Sequence, residues 1–243
     1  MNPFKKSTKQ KSIFITAGYP KIDSLASQVK LLDDHSIDFI EVGIPFSDPL
    51  ADGPVIQNTS EVAIKNGMNL PLLFSQLESI QTKTPLVLMG YMNPVMNYGV
   101  EKFAMACKKN DIASIILPDM SVEIYERFYQ SIFEKYSVSI SFLITPETEM
   151  GRILKIAKHC EKSFVYLVST NSTTGANSQL SFDTVKINSI REALGEIPLM
   201  IGFGISTTED IKKVHQLADG AIIGSAYLKA LAIGEQQLFL EKL

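Results

Sequence analysis

The chain has 243 residues, of which 45% are hydrophobic and 20% charged, enough apolar material for a large core and a composition unlike that of a disordered segment. A formal net charge of -3, with Lys and Arg scattered along the chain, leaves no electrostatic footprint for nucleic acid or anionic lipid, and the basic start Lys5, Lys6, Lys9 and Lys11 reads as a solvated tail. No apolar run approaches the ~18 residues that cross a bilayer, and residues 1–12 lack the apolar centre of a secretory signal, so a cytoplasmic protein is expected.

Short runs rich in Ile, Val and Phe recur in chain order: Ile13 to Ala17, Phe39 to Val42, Leu86 to Met89, Ser114 to Leu117, Ser139 to Ile144, Phe164 to Val168, Leu199 to Gly202 and Ala221 to Ile223. Between them lie stretches whose apolar residues return at every third or fourth position: Ser24 to Ser36, Val100 to Asn110, Val122 to Tyr136, Met150 to His159, Phe182 to Leu194 and Thr208 to Leu217. Asp23 or Ser24, Ser121, Thr148 and Thr207 stand where helix N-caps belong. Eight strand and helix units without a linker predict one (β/α)8 TIM barrel over residues 1–243, a length that suits that fold. An open doubly wound sheet would need a nucleotide fingerprint at its first turn, and Ala17-Gly18-Tyr19-Pro20 is not one. Cys107 and Cys160 fall inside helical stretches and read as buried thiols. With His35, His159 and His215 they form no metal-ligand pattern.

In such a barrel the chemistry sits where strands end and the following loops begin. Glu41 ends the second apolar strand, where a charge is costly unless it has a partner or a task. Taken alone it suits either a structural ion pair or an acid–base group whose pKa desolvation has raised. The loop beyond, stiffened by Pro45, Pro49 and Pro54, can aim Asp48 and Asp52 over the barrel mouth, although isolated loop aspartates commonly bond their own backbone. Gly202-Phe203-Gly204 after the seventh strand and Gly224-Ser225 after the eighth, the latter opening a short helix Ser225 to Leu231, occupy loops where barrels hold phosphate on backbone amides. The polar stretch Thr170 to Gln179 reads as a mobile loop able to close over the site.

The ordered motifs EVGIPFSDPLADGP (41–54), FITAG (14–18), LMGYMNP (88–94), Pro118-Asp119 and GFGIS (202–206) together resemble the tryptophan synthase alpha-subunit family across nearly the whole chain. That resemblance implies that Glu41 and Asp52 are catalytic. It assigns Gly175, Gly204, Gly224 and Ser225 to the glycerol phosphate of the substrate, and Phe14, Met89, Tyr91, Tyr166 and Phe203 to the surroundings of its indole ring. Thr174 would hydrogen-bond Asp52 on closure. Residues 172–175 read Ser-Thr-Thr-Gly where the family usually has Gly-Val-Thr-Gly, and Met120-Ser121 stands where Leu-Pro commonly follows the Pro-Asp pair.

The implied reaction is a lyase step: retro-aldol cleavage of indole-3-glycerol phosphate, a small phosphorylated substrate, to indole and glyceraldehyde 3-phosphate. In that mechanism Glu41 needs a raised pKa and Asp52 stays ionised on its polar loop. The resemblance further implies a beta-subunit partner in an alpha2beta2 tetramer, with pyridoxal phosphate in the partner and no cofactor or metal in this chain. The interface would lie at Pro45 to Pro54 and Asn93 to Tyr98. Sister barrels of indole biosynthesis would need a strand-end lysine acid or a Cys with Asp, whereas the lysines and both cysteines here fall on helices or tails. A barrel that binds indole compounds without catalysis is the alternative from another class, and turnover separates the two.

Overall fold

A computed structural model describes residues 2–168, 183–202 and 204–243. The strands are β1 (Gln10–Thr16), β2 (Phe39–Gly43), β3 (Leu86–Met89), β4 (Ser114–Ile116), β5 (Ile140–Ser141), β6 (Leu143–Ile144), β7 (Val165–Val168), β8 (Leu199–Gly202) and β9 (Gly220–Ile223). All pair in parallel, in the order β5-β4-β3-β2-β1-β9-β8-β7-β6. The two ends of that order, β5 and β6, are separated only by Phe142. They are one strand with a one-residue interruption that pairs with β4 on one side and β7 on the other, which closes the sheet into the eight-unit barrel expected from the sequence.

The helices are α1 (Ser24–Asp33), α2 (Pro54–Lys65), α3 (Leu70–Leu77), α4 (Met92–Tyr98), α5 (Val100–Lys109), α6 (Val122–Ile124), α7 (Gln130–Lys135), α8 (Met150–Ala157), α9 (Thr184–Leu194), α10 (Thr208–Leu217), α11 (Ser225–Ala232) and α12 (Gln236–Glu241). A π turn over Tyr125–Tyr129 joins α6 to α7, so the single helix expected there is locally widened and underwound. Helices α2, α3 and α4 were not among the sequence expectations. Proline at the first or second position of α2 and α3 looks like turn chemistry from the sequence, although its missing N–H costs nothing in a first turn. Thr207 and Ser121 cap α10 and α6 as expected, but Thr148 does not cap α8. Its hydroxyl accepts from Thr145 N at 2.9 Å inside the preceding turn, and Glu149 takes the cap position.

Alternate strand residues face the barrel axis. At the bottom Phe39 and Phe164 meet at a centroid distance of 5.3 Å, and Phe4 from the segment before β1 packs edge-on against both, at 5.3 and 4.9 Å. Offset and edge contacts of this kind add to the area the rings bury, and here they seal the end opposite the mouth. Cys107 and Cys160 are free and buried. No helix among the described residues is long and apolar enough to cross a membrane, and none of their His, Cys, Asp and Glu side chains cluster to hold a metal ion.

Candidate active site at the barrel mouth

Glu41 is set by register between Phe14 of β1 and Val87 of β3, and it is wholly buried. Neither carboxyl oxygen meets a hydrogen-bond partner among the described residues, and no Lys or Arg among them pairs with it, so the structural ion pair that the sequence left open is not formed. A carboxyl stripped of water and of donors holds its proton: burial first, and then the neighbouring charge of Asp52, push Glu41 up to about 8 from an ordinary 4.5.

One layer above Glu41 on the same strand stands Gly43, and on the facing wall Gly202 ends β8. A Cβ at Gly43 would overlap the Phe14 ring, and one at Gly202 would overlap the Tyr166 ring and hydroxyl. The missing side chains let these two aromatic rings lean across the mouth above the buried carboxyl. Phe14, Met89, Tyr91 and Tyr166 are all buried, with 4 to 5% of their surface exposed. The Tyr166 hydroxyl is pushed well above its ordinary value by burial and by the charges of Glu41 and Asp52.

Asp52 follows a turn in which its own N–H donates to Pro49 O at 3.0 Å, and it is held from behind by Gln57, whose side chain donates to Asp52 O at 2.8 Å. Its Oδ2 accepts from the Tyr91 hydroxyl at 3.1 Å, and that hydroxyl accepts from Ala51 N at 3.0 Å. Tyr91 therefore grips the loop twice, once by backbone and once by carboxylate. Phe46 lies against the Tyr91 ring at 5.2 Å. Asp52 is less solvated than a polar loop led us to expect: burial raises its carboxyl to about 6, and the Tyr91 bond opposes that rise. Asp48, by contrast, is exposed and accepts from the side-chain hydroxyl of its neighbour Ser47 at 2.5 Å, rather than from its own backbone.

The glycine sites lie on the other side of the mouth. Gly224 precedes α11, whose first residue is Ser225, and Gly204 takes a positive φ of 72°. A Cβ at Gly224 would lie 3.5 Å from Phe14 Cβ and 3.7 Å from Ile56 Cδ1, so β1 and the start of α2 both reach the first turn of α11. Thr16 and Thr59 hydroxyls, 2.7 Å apart, tie α2 to β1 in the same region. The loop that carries Asp52 and the turn that carries Gly224 and Ser225 thus share a border. Ile56 makes that border, and nothing in the sequence distinguished it from an ordinary helix residue. Thr174, Gly175 and Phe203, with the rest of the stretch Thr170 to Gln179, lie outside the described residues.

Comparison with known proteins gives the family and the fold. A family model described as "Tryptophan synthase alpha chain" matches residues 3–241. The chain is 44% identical over 225 residues to the tryptophan synthase alpha chain of Flavobacterium psychrophilum, covering 90% of this chain and 88% of that one. It is also 44% identical over 236 residues to that of Phocaeicola vulgatus, covering 93% and 89%. Among solved structures, Mycobacterium tuberculosis tryptophan synthase superposes with a TM-score of 0.85 at 29% identity, over 100% of this chain and 92% of that one. The tryptophan synthase complex of Pyrococcus furiosus gives 0.82 at 28%, over 98% and 97%.

Proposed function

The chain belongs to the tryptophan synthase alpha chain family, and from that premise we propose that Glu41 and Asp52 are the two carboxylates of its reaction. The family's activity is the aldolase-type cleavage of indole-3-glycerol phosphate in tryptophan biosynthesis, a lyase reaction whose indole passes to a beta subunit. The observation that carries the assignment is the pair of unlike environments at one mouth. Glu41 is buried with no donor near it among the described residues, and Asp52 is bonded to Tyr91. Carboxyls held near 8 and near 6 divide an acid from an anion at neutral pH.

Indole leaves poorly as a carbanion. Protonation of ring carbon C3 by Glu41, or by a water it positions, turns the ring into an electron sink, with positive charge at the ring nitrogen that the Asp52 carboxylate stabilises. The Glu41 carboxylate so formed takes the proton of the glycerol hydroxyl next to the ring. The carbon–carbon bond then breaks with its electron pair returning to the ring, which yields indole and the aldehyde of glyceraldehyde 3-phosphate and restores protonated Glu41. Phe14, Met89, Tyr91 and Tyr166 wall the indole, and the resemblance adds Phe203. The phosphate rests on Gly204, Gly224 and Ser225, where the amides of α11 offer about half a positive charge, and the resemblance adds Gly175. The resemblance further implies a hydrogen bond from Thr174 to Asp52.

We assign the whole of residues 1–243 to one domain, and its site to the cytoplasm. The family's partner is a beta subunit that depends on pyridoxal phosphate. We place that partner over Pro45 to Pro54 and Asn93 to Tyr98 in an alpha2beta2 tetramer, with the cofactor in the partner. Leu50, 93% exposed, and Met96, 58% exposed, support that face, since apolar side chains left in water beside a site are commonly covered by a partner. Purified Glu41→Gln and Asp52→Asn should each lose cleavage of indole-3-glycerol phosphate by at least about 100-fold while keeping the parent's circular dichroism. Either variant turning over near the parent rate would sink the assignment, and binding without turnover by the parent would point to a non-catalytic indole receptor.

A further inference from the structure

One side chain near the mouth has no part in the mechanism above. Asp119 lies in the loop after β4, and both of its carboxylate oxygens sit 3.0 Å from the backbone nitrogen of Met92, the first residue of α4. The residue is exposed, so its carboxylate could be fully hydrated, yet its hydrogen bonds go to this one amide. An anion accepting from the first N–H of a helix makes a short, charge-assisted bond that also opposes the helix dipole. Immediately before Met92 stands Tyr91, and Tyr91 is the residue that holds Asp52 and Ala51.

The anchors follow one another along the chain. Gly90 N donates to Ile116 O at 3.0 Å, which carries the β3–β4 ladder past the end of β3. Asp119 then fixes the next amide but one, so the backbone before Tyr91 is tied to the end of β4 and the backbone after it to the loop that follows β4. A tyrosine whose Cα is clamped in this way delivers its hydroxyl to a defined point, and that point is the loop of Asp52. We propose that Asp119 is a positioning residue for the cleavage reaction, directing the Asp52 carboxylate through Met92 N and the Tyr91 hydroxyl. Burial, the charge of Asp52 and, least, that of Asp119 also raise the Tyr91 hydroxyl, which keeps it a donor toward Asp52.

This inference rests on the role of Asp52 given above, and a double-mutant cycle distinguishes the two. Steady-state cleavage of indole-3-glycerol phosphate is measured for the parent, Asp119→Ala, Asp119→Asn, Tyr91→Phe and Asp119→Ala with Tyr91→Phe. Asp119→Ala should lower kcat by about 10- to 100-fold, the cost of a small misplacement of a reacting group, with KM changed less than about 2-fold. Asp119→Asn keeps an acceptor for Met92 N and should recover most of that loss. In the Tyr91→Phe background the Asp119→Ala loss should shrink below about 2-fold, because the hydroxyl through which Asp119 acts is already gone. A loss of equal size in both backgrounds, or one carried wholly by KM, overturns the proposal, and in the second case Asp119 touches substrate instead. A parent protein without turnover overturns the functional reading, and this inference with it.

Discussion

The two carboxyls proposed for the reaction are treated differently by the fold. Glu41 is fully buried and unpaired among the described residues, so it keeps its proton to about pH 8, while Asp52, bonded to Tyr91, is half ionised by about pH 6. If Glu41 must be protonated and Asp52 ionised, kcat/KM should be bell-shaped, with a working window between about pH 6 and pH 8. Tyr91→Phe removes a bond that favours the Asp52 anion, so the acid limb should move to higher pH while the alkaline limb stays. A limb that stays in place or moves down would contradict the role given to the hydroxyl. Stability carries the opposite signature. A carboxyl raised from 4.5 to about 8 binds its proton more tightly in the folded state, so its contribution is intact below pH 4.5 and lost as pH climbs toward 8. At pH 7 the gap from 4.5, at roughly 1.4 kcal/mol per pH unit, comes to about 3 kcal/mol against folding. Glu41→Gln cannot ionise, so its urea midpoint should rise relative to the parent between pH 5 and pH 8. A difference independent of pH would show that the carboxyl is not desolvated.

At the scale of elements, the loops after the strands are shaped by contacts that lie far apart in sequence. The turn after β8 is followed by a reciprocal cap, in which the Thr207 hydroxyl accepts from Asp210 N at 3.1 Å while Asp210 accepts from Ser206 N and Thr207 N at 3.1 and 3.0 Å. Burial alone would raise the Asp210 carboxyl, but the bonds from Thr207 and Ser206 outweigh it and hold it below its usual value. Thr207→Ala should cost about 1 kcal/mol in urea unfolding. The same change should raise KM for the phosphorylated substrate, since this cap fixes the backbone that follows Gly204. An unchanged KM would separate the cap from the phosphate site. The cap was legible in the sequence because Thr207 and Asp210 are three residues apart, a local pattern. Helices α2 to α4 were not legible, because each carries a proline in its first turn that resembles a turn signal until α2 packs on β1 and α3 packs on α1 and α4.

Over the whole molecule, the mouth presents Leu50 and Met96 to solvent while the bottom is sealed by Phe4, Phe39 and Phe164. If the exposed pair is the beta-subunit face, Leu50→Asp should leave the isolated chain's cleavage rate within about 2-fold of the parent and its unfolding unchanged. It should weaken binding to the beta subunit by at least about 10-fold, as for a buried apolar anchor. An unchanged affinity in calorimetric titration would move the interface elsewhere. By itself the sequence determined the family and the eight repeating units, and it singled out Glu41 and Asp52 as the candidate carboxylates, because strand and helix periods and an uninterrupted motif are local information carried by neighbouring residues. Only the tertiary structure decided that the fifth strand closes the sheet across Phe142, that Phe14 and Tyr166 lean into the room left by Gly43 and Gly202, and that Asp52 is drawn out of water toward Tyr91. Those outcomes depend on desolvation and on distances between residues 23 to 39 positions apart in the chain, and a carboxyl's proton affinity follows from what surrounds it in space.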